Sequence, residues 1–170
     1  MRRLSFIGSI AAAAALLIAG CGGGGSNNSS STSSPAKAPS GTALVNSGNS
    51  GSLGKVAVGP SGKTLYLFKS DTSSKSTCSG PCAAEWPPLT TTGALTSSGG
   101  VSMSALKTVH RSDGKTQVTL NGHPVYYFSG DSAPGQANGQ GLSDFGASWW
   151  AVSPAGQEIT TSGGGSQGGY

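Results

Sequence analysis

Apolar residues fall along the chain in short runs separated by glycine, serine and proline, a pattern typical of β-strands. The clearest run covers residues 65–68, where successive side chains of a strand face opposite sides. Tyr66 and Phe68 therefore share one face, and Leu65 and Leu67 share the other. Because both faces are apolar, we expect a strand covered on both sides, as in the interior of a barrel or a sandwich.

The pattern around this run occurs twice. KVAVGPSGKTLYLFKSD occupies residues 55–71, KTQVTLNGHPVYYFSGD occupies residues 115–131, and a shift of 60 positions aligns them without a gap. Asn121-Gly122 between two apolar runs is typical of a two-residue hairpin turn, since both turn residues need positive φ. Residues 60–62 (Pro-Ser-Gly) take that place in the first copy. The sequence therefore predicts two β-hairpins related by an internal repeat.

Other short runs predict further elements. We expect strands at 44–46, 105–110 and 148–153, and single helical turns at 82–86 and 102–108. Long amphipathic helices are not predicted, because the 3.6-residue period is lacking. The predicted fold is all-β, a small barrel or sandwich built from two pseudo-symmetric, hairpin-containing repeats. The Tyr and Phe residues of both copies are expected to meet near a pseudo-two-fold axis.

Composition sets the limits of this domain. Glycine (29) and serine (30) make up about a third of the 170 residues, which excludes a coiled coil, and the absence of a Gly-X-Y period excludes collagen. Much of the excess lies before residue 55 and at the C terminus. We predict a flexible tether at 21–50 and a disordered tail at 160–170. The β domain between them is expected at 51–159, with repeat one at about 51–92 and repeat two at about 101–157.

The N terminus predicts export. Arg2, Arg3 and the apolar stretch that follows are typical of a signal peptide, here residues 1–20. Residues 18–21 (Ile-Ala-Gly-Cys) resemble a bacterial lipobox, in which Cys21 would carry diacylglycerol after cleavage. Acyl chains contribute about 0.8 kcal/mol per buried CH₂, so several chains hold a protein on a bilayer. The location would be extracytoplasmic and lipid-anchored, on the outer membrane if the source is Gram-negative. An uncleaved membrane anchor and ordinary secretion are the alternatives.

Charge excludes one class of partner. The formal net charge is +4, and it falls to about +2 once Arg2 and Arg3 are removed with the leader. The remaining charges are scattered, whereas nucleic-acid-binding proteins concentrate Lys and Arg on one face or in a run. We therefore expect no nucleic-acid partner.

Cys78 and Cys82 are the first candidates for chemistry. In an exported protein, two cysteines this close are expected to form a local disulfide. The alternative is a copper or redox site, with His110, His123 or Met103 as further ligands. These three residues have no regular spacing, so we expect no metal and no cofactor.

Aromatic residues and two aspartates are the next candidates. A domain of this size with few Leu and Ile needs aromatic side chains for its core, although they also form stacking platforms. Trp149 and Trp150 alternate in direction on a strand, so one of them is expected to be available for contact. Asp71 and Asp131 follow equivalent strands, where each would cap its own turn or the two would form an acid–base pair. Structural use is the expectation, and no enzyme signature is present.

The two hexapeptides, Tyr66-x-Phe68-x-x-Asp71 and its copy from Tyr126 to Asp131, resemble those of predicted bacterial lipoproteins with a Yx(F/W/Y)xxD motif in a tandem secreted repeat of unknown function. Cys78-x-x-x-Cys82 before residues 86–89 (WPPL) extends the resemblance, which covers residues 52–156. It implies the location and the two-repeat architecture, and no activity. The residues of this family motif, which we expect to be mainly structural, are Tyr66, Phe68, Asp71, Trp86, Tyr126, Phe128, Asp131 and Trp149.

The sequence therefore predicts a monomeric, membrane-anchored cell-envelope lipoprotein that is not an enzyme. Its expected role is binding or envelope interaction, with the membrane reached through Cys21 and a cell-wall or other envelope component as partner. The alternative is an extracytoplasmic copper or redox accessory protein that uses Cys78 and Cys82 with His or Met ligands.

Overall fold

The computed structural model describes residues 41–73 and 75–161. The predicted signal peptide, Cys21, most of the tether and the residues from 162 onward lie outside this part. The strands are β1 (Ala43–Ser50), β2 (Gly54–Val58), β3 (Tyr66–Phe68), β4 (Thr90–Thr91), β5 (Leu95–Ser97), β6 (Leu106–His110), β7 (Thr116–Leu120), β8 (His123–Tyr126), β9 (Ser143–Asp144) and β10 (Ala147–Ala151). Helix α1 covers Pro81–Glu85, and 3₁₀ turns cover Gly51–Leu53 and Met103–Ala105. No helix among the described residues is long and apolar enough to cross a membrane.

The strands form two sheets. The smaller has the order β2-β1-β5, and the larger has the order β4-β7-β8-β3-β10-β9, with β6 also paired to β7. Neither sheet closes on itself. The all-β prediction is confirmed, and of its two forms the closed barrel does not occur.

The second predicted hairpin is present. The first is present only as a turn, because β2 and β3 lie in different sheets and are linked by an isolated bridge between Val58 and Thr64. Asn121 and Gly122 join β7 to β8 with φ of 50° and 83°, the positive values that this turn requires. In the first copy, the Gly59 and Lys63 backbones close the turn and Gly62 takes a φ of 75°. The short predicted strands at 105–110 and 148–153 correspond to β6 and β10, and the helical turn at 82–86 to α1.

The two repeats meet where β3 pairs with β8. Tyr66 lies directly opposite Tyr126 in this antiparallel pair, and the two residues hold the same position in the two copies. A pseudo-two-fold axis therefore passes between them, as the sequence predicts.

Each repeat also donates a strand segment to the other. β10, from the second repeat, pairs with β3 so that Trp149 lies opposite Phe68. On the other side of the axis, Pro88 from the first repeat forms a bridge with Tyr126, and the Leu89 amide donates to the Val125 carbonyl at 3.0 Å. The repeats are interlocked rather than placed side by side.

Strand β3 separates two hydrophobic clusters. Leu65 and Leu67 pack in an aliphatic cluster with residues such as Val125, while Tyr66 and Phe68 pack in an aromatic cluster. All four side chains are buried, which confirms that this strand is covered on both faces.

The predicted tether at 21–50 is too long at its C-terminal end. Residues 43–50 form β1, which pairs with β2 and, in parallel, with β5. Ala43 and Val45 alternate into the aliphatic cluster and are buried. Residues 46–50 (Asn-Ser-Gly-Asn-Ser) continue the strand without apolar side chains, so the sequence predicts a strand only at 44–46.

Candidate functional site

The motif residues of the two repeats are bonded to each other across the pseudo-two-fold axis. The Tyr66 hydroxyl donates to Asp131 Oδ2 at 2.6 Å, and the Tyr126 hydroxyl donates to Asp71 Oδ2 at 2.5 Å. The tyrosine of each copy therefore depends on the aspartate of the other copy. These crossed pairs explain why Tyr and Asp recur at one spacing.

Each aspartate also holds the loop that follows its own strand. Asp71 Oδ1 accepts from the backbone amide and the hydroxyl of Thr77, both at 2.7 Å, and Asp131 Oδ1 accepts from the Asn138 amide at 2.9 Å. Turn capping by the aspartates agrees with the expectation from sequence. Each carboxylate accepts from a different tyrosine hydroxyl, as in the structural use that the sequence predicts.

The tyrosines of the crossed pairs are held neutral. Burial raises the pKa of Tyr66 and Tyr126 far above its ordinary value, and the neighbouring carboxylates raise the pKa further. Both hydroxyls therefore remain hydrogen-bond donors at physiological pH.

The motif tryptophans form the centre of the aromatic cluster. Trp86 and Trp149 stack with ring centroids 4.0 Å apart and planes 4° apart, and Phe68 stacks on Trp149 at 4.2 Å. The Trp149 indole N–H donates to the Asp144 carbonyl at 3.3 Å, whereas the Trp86 indole N–H is buried without an acceptor among residues 41–73 and 75–161. These side chains build the core rather than an open platform.

Cys78 and Cys82 form a disulfide, with Cα atoms 5.3 Å apart. Both residues are buried, and the bridge joins the loop after β3 to the first turn of α1. With the two sulfurs bonded to each other, neither is a thiolate ligand in this state.

Arg111 is a structural residue that sequence reasoning missed. Its guanidinium is buried and donates to the Cys78 carbonyl at 2.7 Å and to Gln117 Oε1 at 2.8 Å. It also donates to Ser76 Oγ, which lies 2.7 Å from the Tyr126 hydroxyl. The disulfide loop is thus connected to one of the crossed pairs. A single arginine among polar residues gives no sequence signal for this role.

The candidate metal ligands are not brought together. His110 and His123 are exposed near strand ends, and Met103 is 48% exposed in a 3₁₀ turn. Within residues 41–73 and 75–161, no three His, Cys, Asp or Glu side chains form a cluster that fits a metal ion.

Trp150 is less available than the alternation of strand residues predicts. Its ring is half-buried against the aliphatic cluster, and a Cβ added at Gly141 would lie 3.3 Å from it. Trp149 is fully buried. Trp150 therefore keeps part of its surface exposed, and Trp149 keeps none.

An accessible aromatic surface is found instead in a recess of about 380 Å³, which we call the aromatic groove. It is lined by Pro60, Ser61, Lys63, Pro87, Tyr127, Phe128 and Ser129. Tyr127 crosses the backbone of Gly59 so closely that a Cβ there would collide with its hydroxyl. Burial raises the pKa of Tyr127 to about 12, and a hydrogen bond with Ser61 acts in the opposite direction.

A second recess, which we call the polar recess, lies at the pseudo-symmetric position. It has a volume of about 440 Å³ and is lined by Lys69, Asn121, His123, Gly156, Gln157, Glu158 and Thr160. In the 60-residue repeat, Asn121 corresponds to Ser61, His123 to Lys63, and Lys69 to Ser129. Lys69 and Glu158 form a salt bridge of 2.7 Å there.

Comparison with known proteins places the chain in a family. The sequence profile of a family described as a secreted repeat of unknown function matches residues 49–90 and 107–153. Comparisons with curated proteins and with solved structures gave no significant match. The two matched stretches contain the two halves that interlock, and the family description supports an extracytoplasmic location. The chain belongs to the family of secreted repeats of unknown function and carries both copies of the repeat.

Proposed function

We propose that this protein is a lipid-anchored lipoprotein of the bacterial envelope that acts by noncovalent binding, through the aromatic groove, and not by catalysis. The observation that carries the proposal is that the motif side chains able to do acid–base or redox chemistry are bonded to one another. Tyr66, Tyr126, Asp71 and Asp131 are bonded to one another in the crossed pairs, and Cys78 is bonded to Cys82. These motif side chains stabilise the fold.

The aromatic groove supplies what a binding module needs. Tyr127 and Phe128 are only partly buried, although the equivalent residues Leu67 and Phe68 are buried in the core. Apolar recesses with a few convergent polar groups are the usual form of ligand sites. The groove is small within that range, so we expect it to contact a short segment of a larger partner.

The anchor follows from the sequence at Cys21. Nineteen residues rich in Gly and Ser separate Cys21 from Gly41, where the described part begins. For a Gly/Ser-rich linker of this length, the expected end-to-end distance is about 25 Å. This length is compatible with an anchor at Cys21 and a partner bound to the domain.

Two experiments test the two parts of the proposal. For the anchor, Cys21→Ser is expected either to release the protein from the membrane fraction or to leave its signal peptide uncleaved. Unchanged membrane attachment together with normal cleavage would contradict the anchor. For binding, the purified mature chain should co-sediment with isolated envelope material. Tyr127→Leu should weaken this retention, whereas His123→Ala in the polar recess should not.

A further inference from the structure

We propose that the aromatic groove binds an extended, proline-containing peptide segment of a partner protein in the polyproline II conformation. The inference rests on the proposed binding function and adds the class of ligand. Three features of the groove lead to it: its walls, its hydrogen-bonding groups, and its contrast with the polar recess.

Four of the residues that line the groove have ring side chains. Pro60 and Pro87 lie on one repeat, Tyr127 and Phe128 on the other, and the exposed surface between them is mainly apolar. Aromatic-lined grooves are the usual docking surface for proline-rich segments. Such segments are already extended before binding and therefore lose little conformational entropy.

The polar groups of the groove are able to donate hydrogen bonds. They are the Ser129 hydroxyl and the Lys63 ammonium group, since the Ser61 hydroxyl is already bonded to Tyr127. Among the described residues that line the groove, none carries a carboxylate or a side-chain amide. A polyproline II segment has free carbonyl groups along its whole length, and proline has no N–H to donate. The donors of the groove thus complement the acceptors of the ligand. Lys63, the one charged residue of the lining, favours a peptide with an acidic residue beside its prolines.

The polar recess shows why a glycan is a poorer match. A sugar offers hydroxyl donors as well as acceptors, so it is best bound by carboxylates and amides placed beside an aromatic face. Asn121, Gln157 and Glu158 line the polar recess, but no aromatic side chain does. The aromatic groove has the rings without those acceptors. The aromatic rings and the carboxylate and amide groups that a sugar needs are therefore in different recesses. The aromatic groove, with rings and hydrogen-bond donors, fits a proline-rich peptide better.

The test is an NMR titration of the ¹⁵N-labelled mature chain carrying Cys21→Ser with capped hexaproline. Amide shifts should change in a saturable way at Ser61, Lys63 and residues 127–129. A Gly-Ser peptide of equal length should have no comparable effect. Leucine is the residue at the position equivalent to Tyr127 in the first repeat, Leu67. Tyr127→Leu should weaken binding by at least about tenfold. Lys63→Ala should weaken it by about two- to fivefold, and His123→Ala should leave it unchanged.

The titration would overturn the inference by any of four results: no saturable change, an equal response to the Gly-Ser peptide, changes centred on the polar recess, or a preference for oligosaccharide over hexaproline. A fifth result comes from the tether. Groove signals that shift when Pro35 and Pro39 are replaced by Ser, with no peptide added, would assign the groove to the chain's own tether and also overturn it. If envelope retention depends on Tyr127 while hexaproline does not bind, the binding function stands and the ligand class is wrong. If neither occurs, both proposals fail.

Discussion

The two ends of this pseudo-symmetric molecule share a frame and differ in what they expose. At one end, Tyr127 and Phe128 face a groove of prolines, and at the other, Lys69, His123 and Glu158 line a polar recess. The recesses lie at equivalent positions, since three residues of one correspond to three residues of the other in the 60-residue repeat. The residues that build the frame are repeated, whereas the residues at the surface are not. Function is therefore expected in the differences between the copies rather than in the motif.

The crossed pairs also differ, and this difference sets the largest expected effect. Asp131 is fully buried, while Asp71 is only partly buried. Asp131→Ala leaves the Tyr66 hydroxyl and the Asn138 amide without an acceptor away from water, so we expect a loss of about 3 kcal/mol in the free energy of unfolding. Asp71→Ala should cost about 1.5 kcal/mol, since water can replace part of the carboxylate.

Denaturant unfolding followed by circular dichroism measures both losses. The slope of the transition should be unchanged, so that the shifts report stability alone. Equal losses for the two variants would mean that the halves are equivalent in energy as well as in geometry.

Besides its aspartate, each loop after a motif strand has a second restraint, and the two restraints differ, which gives an intermediate effect. The loop at 71–82 has the Cys78–Cys82 disulfide at its C-terminal end, while in the loop at 131–141 Gln136 Oε1 accepts from the Ser132 and Ala133 backbone amides. Replacing Cys78 and Cys82 with Ser should cost about 2 kcal/mol, and Gln136→Ala about 1 kcal/mol. Thermal unfolding measures both, and a larger loss for Gln136→Ala would reverse the ranking.

Alkaline pH tests the buried tyrosines and has the smallest effect per residue. Folding raises the pKa of these tyrosines. Below pH 10 they are protonated in both the folded and the unfolded chain, so the free energy of unfolding does not depend on their ionisation. Above pH 10 the unfolded chain ionises first and stability falls, up to about pH 12 for Tyr127. At pH 11 each tyrosine should account for about 1 kcal/mol. The measurement is the decrease in the free energy of unfolding between pH 8 and pH 11. Tyr66→Phe and Tyr127→Phe should each make this decrease smaller, and an unchanged decrease in both variants would contradict the burial of these tyrosines.

Much of the frame could be predicted from the sequence. The apolar alternation at 65–68 and the Asn121-Gly122 turn depend on local rules, and both are confirmed. The partner of each aspartate could not be predicted, because a repeat shows which positions are equivalent but not whether they pair within a copy or between copies. The aromatic groove could not be predicted from the sequence for a similar reason. Tyr127 occupies a variable position between two motif residues, and its exposure depends on how Gly59 from the other repeat packs against it.

The crossing of the motif between repeats is the central claim, and a double-mutant cycle tests it most directly. Tyr66→Phe would be combined with Asp131→Asn in one cycle and with Asp71→Asn in the other, and unfolding free energies would be measured for every variant. We predict a coupling of about 1 kcal/mol between Tyr66 and Asp131, and none beyond about 0.3 kcal/mol between Tyr66 and Asp71 of the same repeat. Coupling within the repeat and not across it would contradict the interlocked arrangement.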